Sequence, residues 1–191
     1  MTRRILVLGG GPAGIEAARA AASSGAQVHL VTDGPLGGRA GWHSLVPSKV
    51  WLAAADAYGF ISEAGELGVR VPGNPQVDPE AILARIRRVS ETWSRQQQAE
   101  LEDLGVRIVP GTGSIRDAHR IQVQNPTNET IAELEGDAII VTAGSTPVFP
   151  EGMRPDGKLV LAPRLAGQLE SLPEDVIVIG AGRHRDRVRL P

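Results

Sequence analysis

The chain has 191 residues, of which 41% are hydrophobic and 22% are charged, a composition typical of a globular protein with its own apolar core. Its formal net charge of -2 gives no electrostatic basis for binding nucleic acid or an anionic membrane surface. Because the sequence contains no cysteine, disulfide bonds, thiolate nucleophiles and cysteine-ligated metals are excluded, and no cluster of His, Asp and Glu indicates a metal site. No signal peptide or membrane-spanning stretch is predicted, so we expect a cytoplasmic protein.

The N-terminal stretch combines a buried strand with a glycine-rich turn. Residues 5–8 are four consecutive apolar residues, which is typical of a parallel strand buried on both faces. The glycines that follow, Gly9, Gly11 and Gly14, have the G-x-G-x-x-G spacing of a dinucleotide-binding unit. That spacing allows a tight turn, a close approach of pyrophosphate to the backbone, and close packing of the next helix, whose N-terminus attracts phosphate.

The next residues complete the start of a βαβ unit. Residues 15–24 are rich in alanine and predict a helix, Gly25 is placed to end it, and residues 27–31 predict a second strand. In such units an acidic residue at the end of the second strand, about 20 residues on, holds the ribose. Thr32 stands at the position that fits best. Asp33 reaches the ribose hydroxyls if the strand ends one residue later, and otherwise it is a turn residue.

Two helices are predicted in the middle of the chain. The second half of residues 39–55 favours a helix carried by alanines. Asp78 and Pro79 predict the start of a longer helix, as N-cap and first helical residue, and Gly105 ends it. Apolar residues at spacings of three, four or their sums form one stripe along this helix: Ile82, Ile86, Val89, Trp93, Leu101 and Leu104. Its arginines are expected to form the solvated side rather than a basic binding site.

The remaining strands complete an α/β pattern. Residues 106–109 predict a strand, and residues 114–134 alternate around a turn at 125–128, which predicts a small β-meander. Residues 137–141 predict a buried strand that runs into a glycine turn. The sequence therefore predicts a doubly wound, parallel-sheet, Rossmann-type domain with a meander insertion, over residues 1–170.

Residues 175–182 repeat the pattern of the first strand and its glycines. A second dinucleotide-binding unit is therefore predicted to begin in residues 171–191. It is not completed, because Arg185 stands where the third glycine belongs and the arginine-rich residues after it cannot form an apolar helix. A truncated or frame-shifted reading of a longer gene is one hypothesis for this pattern.

Taken together, these stretches resemble the pyridine nucleotide-disulfide oxidoreductases, the flavoproteins that include dihydrolipoamide dehydrogenase and mercuric reductase. The resemblance covers residues 4–182. The family's FAD pyrophosphate loop corresponds to Gly9-Gly10-Gly11-Pro12-Ala13-Gly14, and its second glycine pair corresponds to Gly37-Gly38. The segment after the redox dithiol corresponds to Val46-Pro47-Ser48-Lys49, and the loop that touches adenine corresponds to Gly111-Thr112-Gly113. The family's Ala-Thr-Gly-Ser turn corresponds to Thr142-Ala143-Gly144-Ser145, with its first two residues exchanged.

The resemblance implies FAD at the first nucleotide site, NAD(P)H as the electron donor, and a homodimer as the family's assembly. It implies that the ADP half is held by Gly9, Gly11, Gly14 and Asp33, and that the flavin half lies along Gly38, Lys49, Ala143 and Gly144. The other cofactor-binding residues that it implies are Pro12, Ala13, Thr32, Gly37, Gly113 and Thr142.

One departure from the family removes its usual chemistry. Alignment on residues 47–49 puts the two cysteines of the family's Cys-x4-Cys pair at Ala40 and Leu45. Disulfide reduction needs a thiolate, so it is excluded. The chain instead resembles a cysteine-lacking branch similar to NAD(P)H:quinone reductases, in which reduced flavin passes electrons to a small acceptor.

A second departure is length. The family's returning FAD segment, its dimerisation domain and most of its NAD(P)H-binding domain have no counterpart in these 191 residues. The resemblance therefore leaves two interpretations open. The chain is either a dithiol-free FAD oxidoreductase or a non-catalytic, truncated flavin-binding fragment that needs the missing domains for activity.

Two side chains are candidates for catalysis. The resemblance places Lys49 near the flavin N5 and O4 edge, where a cation stabilises reduced flavin. The alternative is an ordinary lysine in the first turn of a helix. His43 falls between the lost cysteine positions and is either a proton donor to the flavin or a loop histidine. Trp42 and Trp51 either line a flavin or acceptor pocket or belong to the core.

Overall fold

The computed structural model describes residues 2–149, 151–162, 173 and 175–179. The chain forms two compact units. The sheet unit consists of residues 1–42 and 90–148, and the helical unit consists of residues 43–89 with the described part of 149–191. Each unit is described by itself.

In the sheet unit, strands and helices alternate at first, and the last five elements are all strands. They are β1 (Arg4–Leu8), α1 (Pro12–Ser23), β2 (Gln27–Thr32), α2 (Gly38–Trp42), β3 (Arg107–Pro110), β4 (Thr112–Ile115), β5 (Arg120–Gln124), β6 (Thr130–Glu135) and β7 (Ala138–Val141). The helical unit contains α3 (Leu45–Glu63). Helix α4 (Pro79–Asp103) has residues in both units.

Four parallel strands form the central sheet, in the order β3-β2-β1-β7. Strand β1 lies in the middle, where Ile5 pairs with Val28 of β2 and with Ala138 of β7. The sheet is of the predicted α/β, Rossmann-type kind. Since all four strands run the same way, their carboxyl ends lie along one edge.

The two faces of this sheet are covered by different structures, because alternate residues of a strand point to opposite faces. On one face the sheet packs against helices through the cluster of Val7, Ile15, Ala18, Val28, Leu30, Leu36, Leu101 and Val106. On the other face it packs against an antiparallel meander of order β4-β5-β6, through Leu6, Val31, Val109, Ile121, Val123 and Leu134. The predicted meander and its turn at residues 125–128 are confirmed, and its first strand begins at Thr112.

Helix α1 begins and ends as its sequence indicates. Pro12 is its first residue, where the missing N–H costs nothing, and the alanines that follow favour the helix. Gly25, with φ of +84°, ends it, and its N–H donates to the Ala22 carbonyl at 2.9 Å. The buried side is formed by Gly14, Ile15 and Ala18, which lets the helix lie close to the sheet.

The start of α4 confirms the predicted cap. The Asp78 carboxylate accepts the N–H of Ala81 at 3.0 Å, and Pro79 is the first helical residue. Of the predicted stripe, Ile86 and Leu101 are buried, and Leu104 is exposed beyond the helix end.

The repeated strand pattern near the end of the chain forms no strand in residues 175–179, where Ile177 is 90% exposed and Ile179 is 75% exposed. A strand is stabilised by pairing with neighbouring strands, and residues 175–179 pair with none of the strands in the described part of the chain. The rest of that pattern, including Arg185, lies outside the described residues. The predicted division into residues 1–170 and 171–191 stays a prediction.

Candidate dinucleotide site

Three turns meet at the carboxyl edge of the central sheet. They are the first glycine loop (residues 9–14), the second glycine turn (residues 36–41) and the turn after β7 (residues 142–145). Backbone hydrogen bonds fix them at this edge. Gly37 N–H donates to the Gly10 carbonyl at 2.8 Å and joins the first two turns, while Gly9 N–H donates to the Val31 carbonyl of β2 at 2.9 Å and Thr142 N–H to the Leu8 carbonyl of β1 at 2.8 Å. Ligands of open α/β sheets bind at this edge.

Two glycines of the first loop are required by packing. Gly9 has φ of +115°, and a Cβ on it would overlap the carbonyl oxygen of Thr142. A Cβ on Gly14 would overlap the carbonyl oxygen of Gly9 and would lie 2.7 Å from the Thr142 hydroxyl oxygen. Both positions therefore exclude a side chain, and the loop lies directly against Thr142.

Gly11 differs from these two glycines. Its φ is -74°, which any residue adopts, and a Cβ there would meet no heavy atom within 4 Å. The first helical hydrogen bond of α1 runs from Ile15 N–H to the Gly11 carbonyl at 3.0 Å. The N–H groups of Ala13 and Gly14 precede that bond, at the positive end of the helix dipole. N–H groups at a helix N-terminus, next to a glycine with open space beside it, are a common arrangement for binding pyrophosphate.

The second glycine turn lies against the first loop. A Cβ on Gly38, whose φ is +49°, would lie 3.0 Å from the Cα of Gly11. The two backbones approach so closely that position 38 has little room for a side chain. Gly41 N–H donates to the Gly37 carbonyl at 3.0 Å and forms the first helical hydrogen bond of α2. The sequence did not predict this helix, because glycine has a poor helix propensity.

The turn after β7 is joined to both neighbours. The Thr142 hydroxyl lies 2.9 Å from the Leu8 carbonyl oxygen and 3.0 Å from the Gly9 carbonyl oxygen, so its proton is shared between them. The guanidinium of Arg39 donates to the Ser145 carbonyl at 2.9 Å and to its hydroxyl at 3.1 Å. Ala143 and Gly144 are exposed between these two anchors. Sequence reasoning missed Arg39, whose partner lies 106 residues away.

The ribose candidates lie where β2 ends. The strand ends at Thr32, one residue later than predicted, so Asp33 is the first residue beyond it and is exposed. The Thr32 side chain is only 9% exposed, and its hydroxyl donates to the Gly34 carbonyl at 3.0 Å. Thr32 therefore shapes the turn, and Asp33 presents an exposed carboxylate.

Gly113 has a packing explanation. A Cβ there would overlap Leu8 and would lie 3.2 Å from both Ile121 and Val31. The missing side chain lets the meander approach the central sheet. Gly111, with φ of +141°, donates its N–H to the Thr32 carbonyl at 2.8 Å. The adenine contact of this stretch stays a prediction.

The two candidate catalytic side chains belong to the helical unit. Lys49 is exposed on the first turns of α3, between the buried residues Pro47 and Val50. His43 is exposed just before that helix. Trp51 is half-buried on α3. Trp42 lies in the sheet unit, where its indole N–H donates to the Leu36 carbonyl at 2.9 Å.

His29 is a half-buried histidine that belongs to none of these turns. It lies on β2 between β1 and β3, and its Nδ1 is buried without a hydrogen-bond partner among the described residues. Burial lowers the pKa of His29 below its usual value, and the charges of Arg107 and Arg4 lower it further. It is therefore neutral at neutral pH.

Two other kinds of feature are absent from the described part of the chain. No group of three His, Asp or Glu side chains there could hold a metal ion. None of the helices there is both long and apolar enough to cross a membrane.

Glycine turns that converge on the carboxyl edge of a parallel sheet are typical of dinucleotide-binding α/β proteins. Residues 3–183 match the family model described as pyridine nucleotide-disulphide oxidoreductase. The chain belongs to this family, as the sequence motifs predicted.

Relatives and solved structures agree with this assignment. The chain is 33% identical over 193 residues to an NAD(P)H dehydrogenase (quinone) of Mycobacterium tuberculosis, covering 95% of this chain and 39% of that protein. It is 33% identical to a dihydrolipoyl dehydrogenase of Chlorobaculum parvum, covering 93% of this chain and 38% of that protein. The crystal structure of LpdA from M. tuberculosis matches with a TM-score of 0.81 and 31% identity, covering 91% of this chain and 38% of that chain. The chain thus spans less than two fifths of the length of these relatives.

Proposed function

We propose that this chain binds FAD and serves as the flavin-binding part of an oxidoreductase that passes electrons from NAD(P)H to a small acceptor such as a quinone. The observation that carries the proposal is the pair of glycine turns. Space is open where a side chain on Gly11 would stand, and the backbone of Gly38 packs against Gly11. The name of the mycobacterial relative supports a quinone as acceptor. The family and the absence of cysteine support a route without a dithiol.

The residues of the sheet unit have separate roles in this proposal. The N–H groups of Ala13 and Gly14 would bind the pyrophosphate, and Asp33 would accept hydrogen bonds from the ribose hydroxyls. The flavin half would lie along Gly38, Ala143 and Gly144. Bound FAD would supply the redox chemistry, which is to accept a hydride and to release electrons to the acceptor.

Lys49 is proposed to stabilise the negative charge of reduced flavin, and His43 to donate a proton. The competing interpretation is that both are surface residues. Replacing the lysine with methionine should lower the flavin midpoint potential, because the cation that favours the reduced form is lost. The matched control is Lys158→Met, at the exposed second lysine of the chain. Equal potentials in the two variants would assign Lys49 to the surface.

The binding proposal is tested at Gly11, where a side chain is sterically free but would occupy the pyrophosphate position. Gly11→Val should leave the fold intact and weaken FAD binding at least about tenfold, or 1.4 kcal/mol, in a flavin fluorescence titration. Gly59→Ala is the control, since a Cβ there also meets nothing within 4 Å. Equal FAD affinity in both variants would show that the ligand does not pass over Gly11.

The competing proposal is a non-catalytic flavin-binding fragment that needs further domains for activity; the 191 residues cover 39% of the quinone reductase relative. Flavin-loaded protein mixed with NADH or NADPH and a quinone distinguishes the two. Bleaching of the flavin bands by the reduced nucleotide supports the oxidoreductase, and an unchanged spectrum supports the non-catalytic fragment.

A further inference from the structure

The second glycine turn rests on the C-terminal half of α4. A Cβ on Gly37 would overlap the Trp93 ring at Cζ3, and a Cβ on Gly41 would lie 3.0 Å from the same atom. The indole therefore lies directly against both glycines. Trp93 also packs against the apolar cluster that contains Leu36, the residue before the turn.

One polar contact joins the turn to α4, and a second braces the turn internally. Ser90 is 1% exposed, and its hydroxyl donates to the Gly41 carbonyl at 2.8 Å. The Trp42 indole N–H donates to the Leu36 carbonyl at 2.9 Å. Both carbonyls belong to a glycine-rich segment that has little intrinsic preference for one conformation, so the side chains supply the order that the backbone lacks.

The position of this turn decides the shape of the candidate site. Gly37 N–H donates to the Gly10 carbonyl at 2.8 Å, and Gly38 lies against Gly11. Any shift of the second glycine turn therefore changes its separation from the first loop. Trp93 and Ser90 contact the turn at residues 37 and 41, so they can act on the first loop through that turn.

We propose that Trp93, together with Ser90, is a positioning residue for dinucleotide binding, which holds the second glycine turn against Gly10 and Gly11 before the ligand arrives. This inference rests on the proposed FAD binding. A preformed site avoids the entropic cost of ordering the turn when the ligand binds. The flavin half depends on the second turn and the ADP half depends on the first loop, so the two ligand halves should respond differently.

The test compares FAD and ADP affinities in Trp93→Leu, Trp93→Phe, Ser90→Ala and the control Ser94→Ala, a buried serine one turn further along α4. Trp93→Leu should weaken FAD at least about tenfold and ADP less than about threefold, and Trp93→Phe should restore most of the FAD affinity. Ser90→Ala should weaken FAD several-fold, and the control less than about twofold.

Hydrogen exchange without ligand gives an independent readout. In Trp93→Leu the Gly37 amide should exchange at least about tenfold faster, while the Gly9 amide, which donates to Val31, keeps its protection. Equal FAD affinity and equal Gly37 exchange in Trp93→Leu, Ser90→Ala and the control would overturn the inference while leaving the proposed function intact. Wild-type protein that binds neither FAD nor ADP would instead overturn the proposed function, and this inference with it.

Discussion

The first glycine loop and the second glycine turn lie in contact, but different parts of the chain hold them. The first loop is fixed by the Gly9 N–H on the Val31 carbonyl and by the packing of Gly14 on Gly9. It also packs on Thr142, whose hydroxyl lies 3.0 Å from the Gly9 carbonyl oxygen and which is 133 residues away. The second turn depends on Ser90, 49 residues away from its partner Gly41, and on the Trp93 ring. Both regions therefore have distant supports, but they differ in what the sequence reveals. The G-x-G-x-x-G spacing marks the first loop, whereas no local pattern marks the contacts of Ser90 and Trp93 with the second turn.

The largest effect is expected at the first loop. Gly14→Val places a side chain against the Gly9 carbonyl and the Thr142 hydroxyl, and it should lower the free energy of unfolding by about 3 kcal/mol. Urea unfolding followed by circular dichroism measures this. Gly11→Ala, in open space, should change stability by less than about 0.5 kcal/mol. Equal losses in both variants would mean that packing does not distinguish the two glycines.

A smaller effect is expected where β7 meets the loop. Thr142→Val keeps the shape and removes the proton shared between Leu8 and Gly9, which should cost about 1 kcal/mol. The control is Thr130→Val, at an exposed position of β6. If the two variants unfold at the same urea concentration, the hydroxyl does not stabilise the loop.

Arg39 should affect the ligand more than the fold. Arg39→Gln removes a guanidinium that joins α2 to Ser145 at an exposed position, so stability should change by less than about 0.5 kcal/mol. FAD should dissociate about threefold faster, because the turn after β7 loses an anchor beside the flavin half. Stopped-flow release of flavin measures the rate. Ser145→Ala, which keeps the carbonyl acceptor, should show a smaller change, and a larger one would contradict this assignment.

The smallest effect is a pH dependence that comes from neither turn. The pKa of His29 is lowered in the folded protein, so the unfolded chain binds the proton more tightly. The contribution of neutral His29 to the free energy of unfolding is therefore fully present above about pH 6.5, and it is lost as the pH falls through the pKa of the folded state. His29→Gln should unfold with a flatter pH dependence between pH 7 and pH 5. A variant whose pH profile overlays that of the wild type would assign this dependence to other groups.

The sequence predicted what neighbouring residues determine. The first loop, the Gly25 helix end, the Asp78 cap and the meander all follow from local spacing and turn chemistry, and the structure confirms them. Helix α2 was missed, because tertiary contacts override the poor propensity of its glycines.

Long-range contacts of the site were beyond sequence reasoning. Trp93 was predicted only as one residue of an apolar stripe, and the spacing does not reveal that its ring meets Gly37 and Gly41. The Arg39 contact to Ser145 joins residues 106 positions apart, and no local pattern marks it. The sequence allows Trp42 either to line a pocket or to belong to the core. In the structure its indole N–H donates to the Leu36 carbonyl, at the start of the second glycine turn.

The most direct test of FAD binding is the visible absorption spectrum of the purified wild-type chain after incubation with FAD and removal of free ligand by desalting. Flavin bands that remain with the protein, in a ratio near one per chain, are the expected result. A colourless protein that is folded by circular dichroism would contradict the claim that the two glycine turns form an FAD site in this chain.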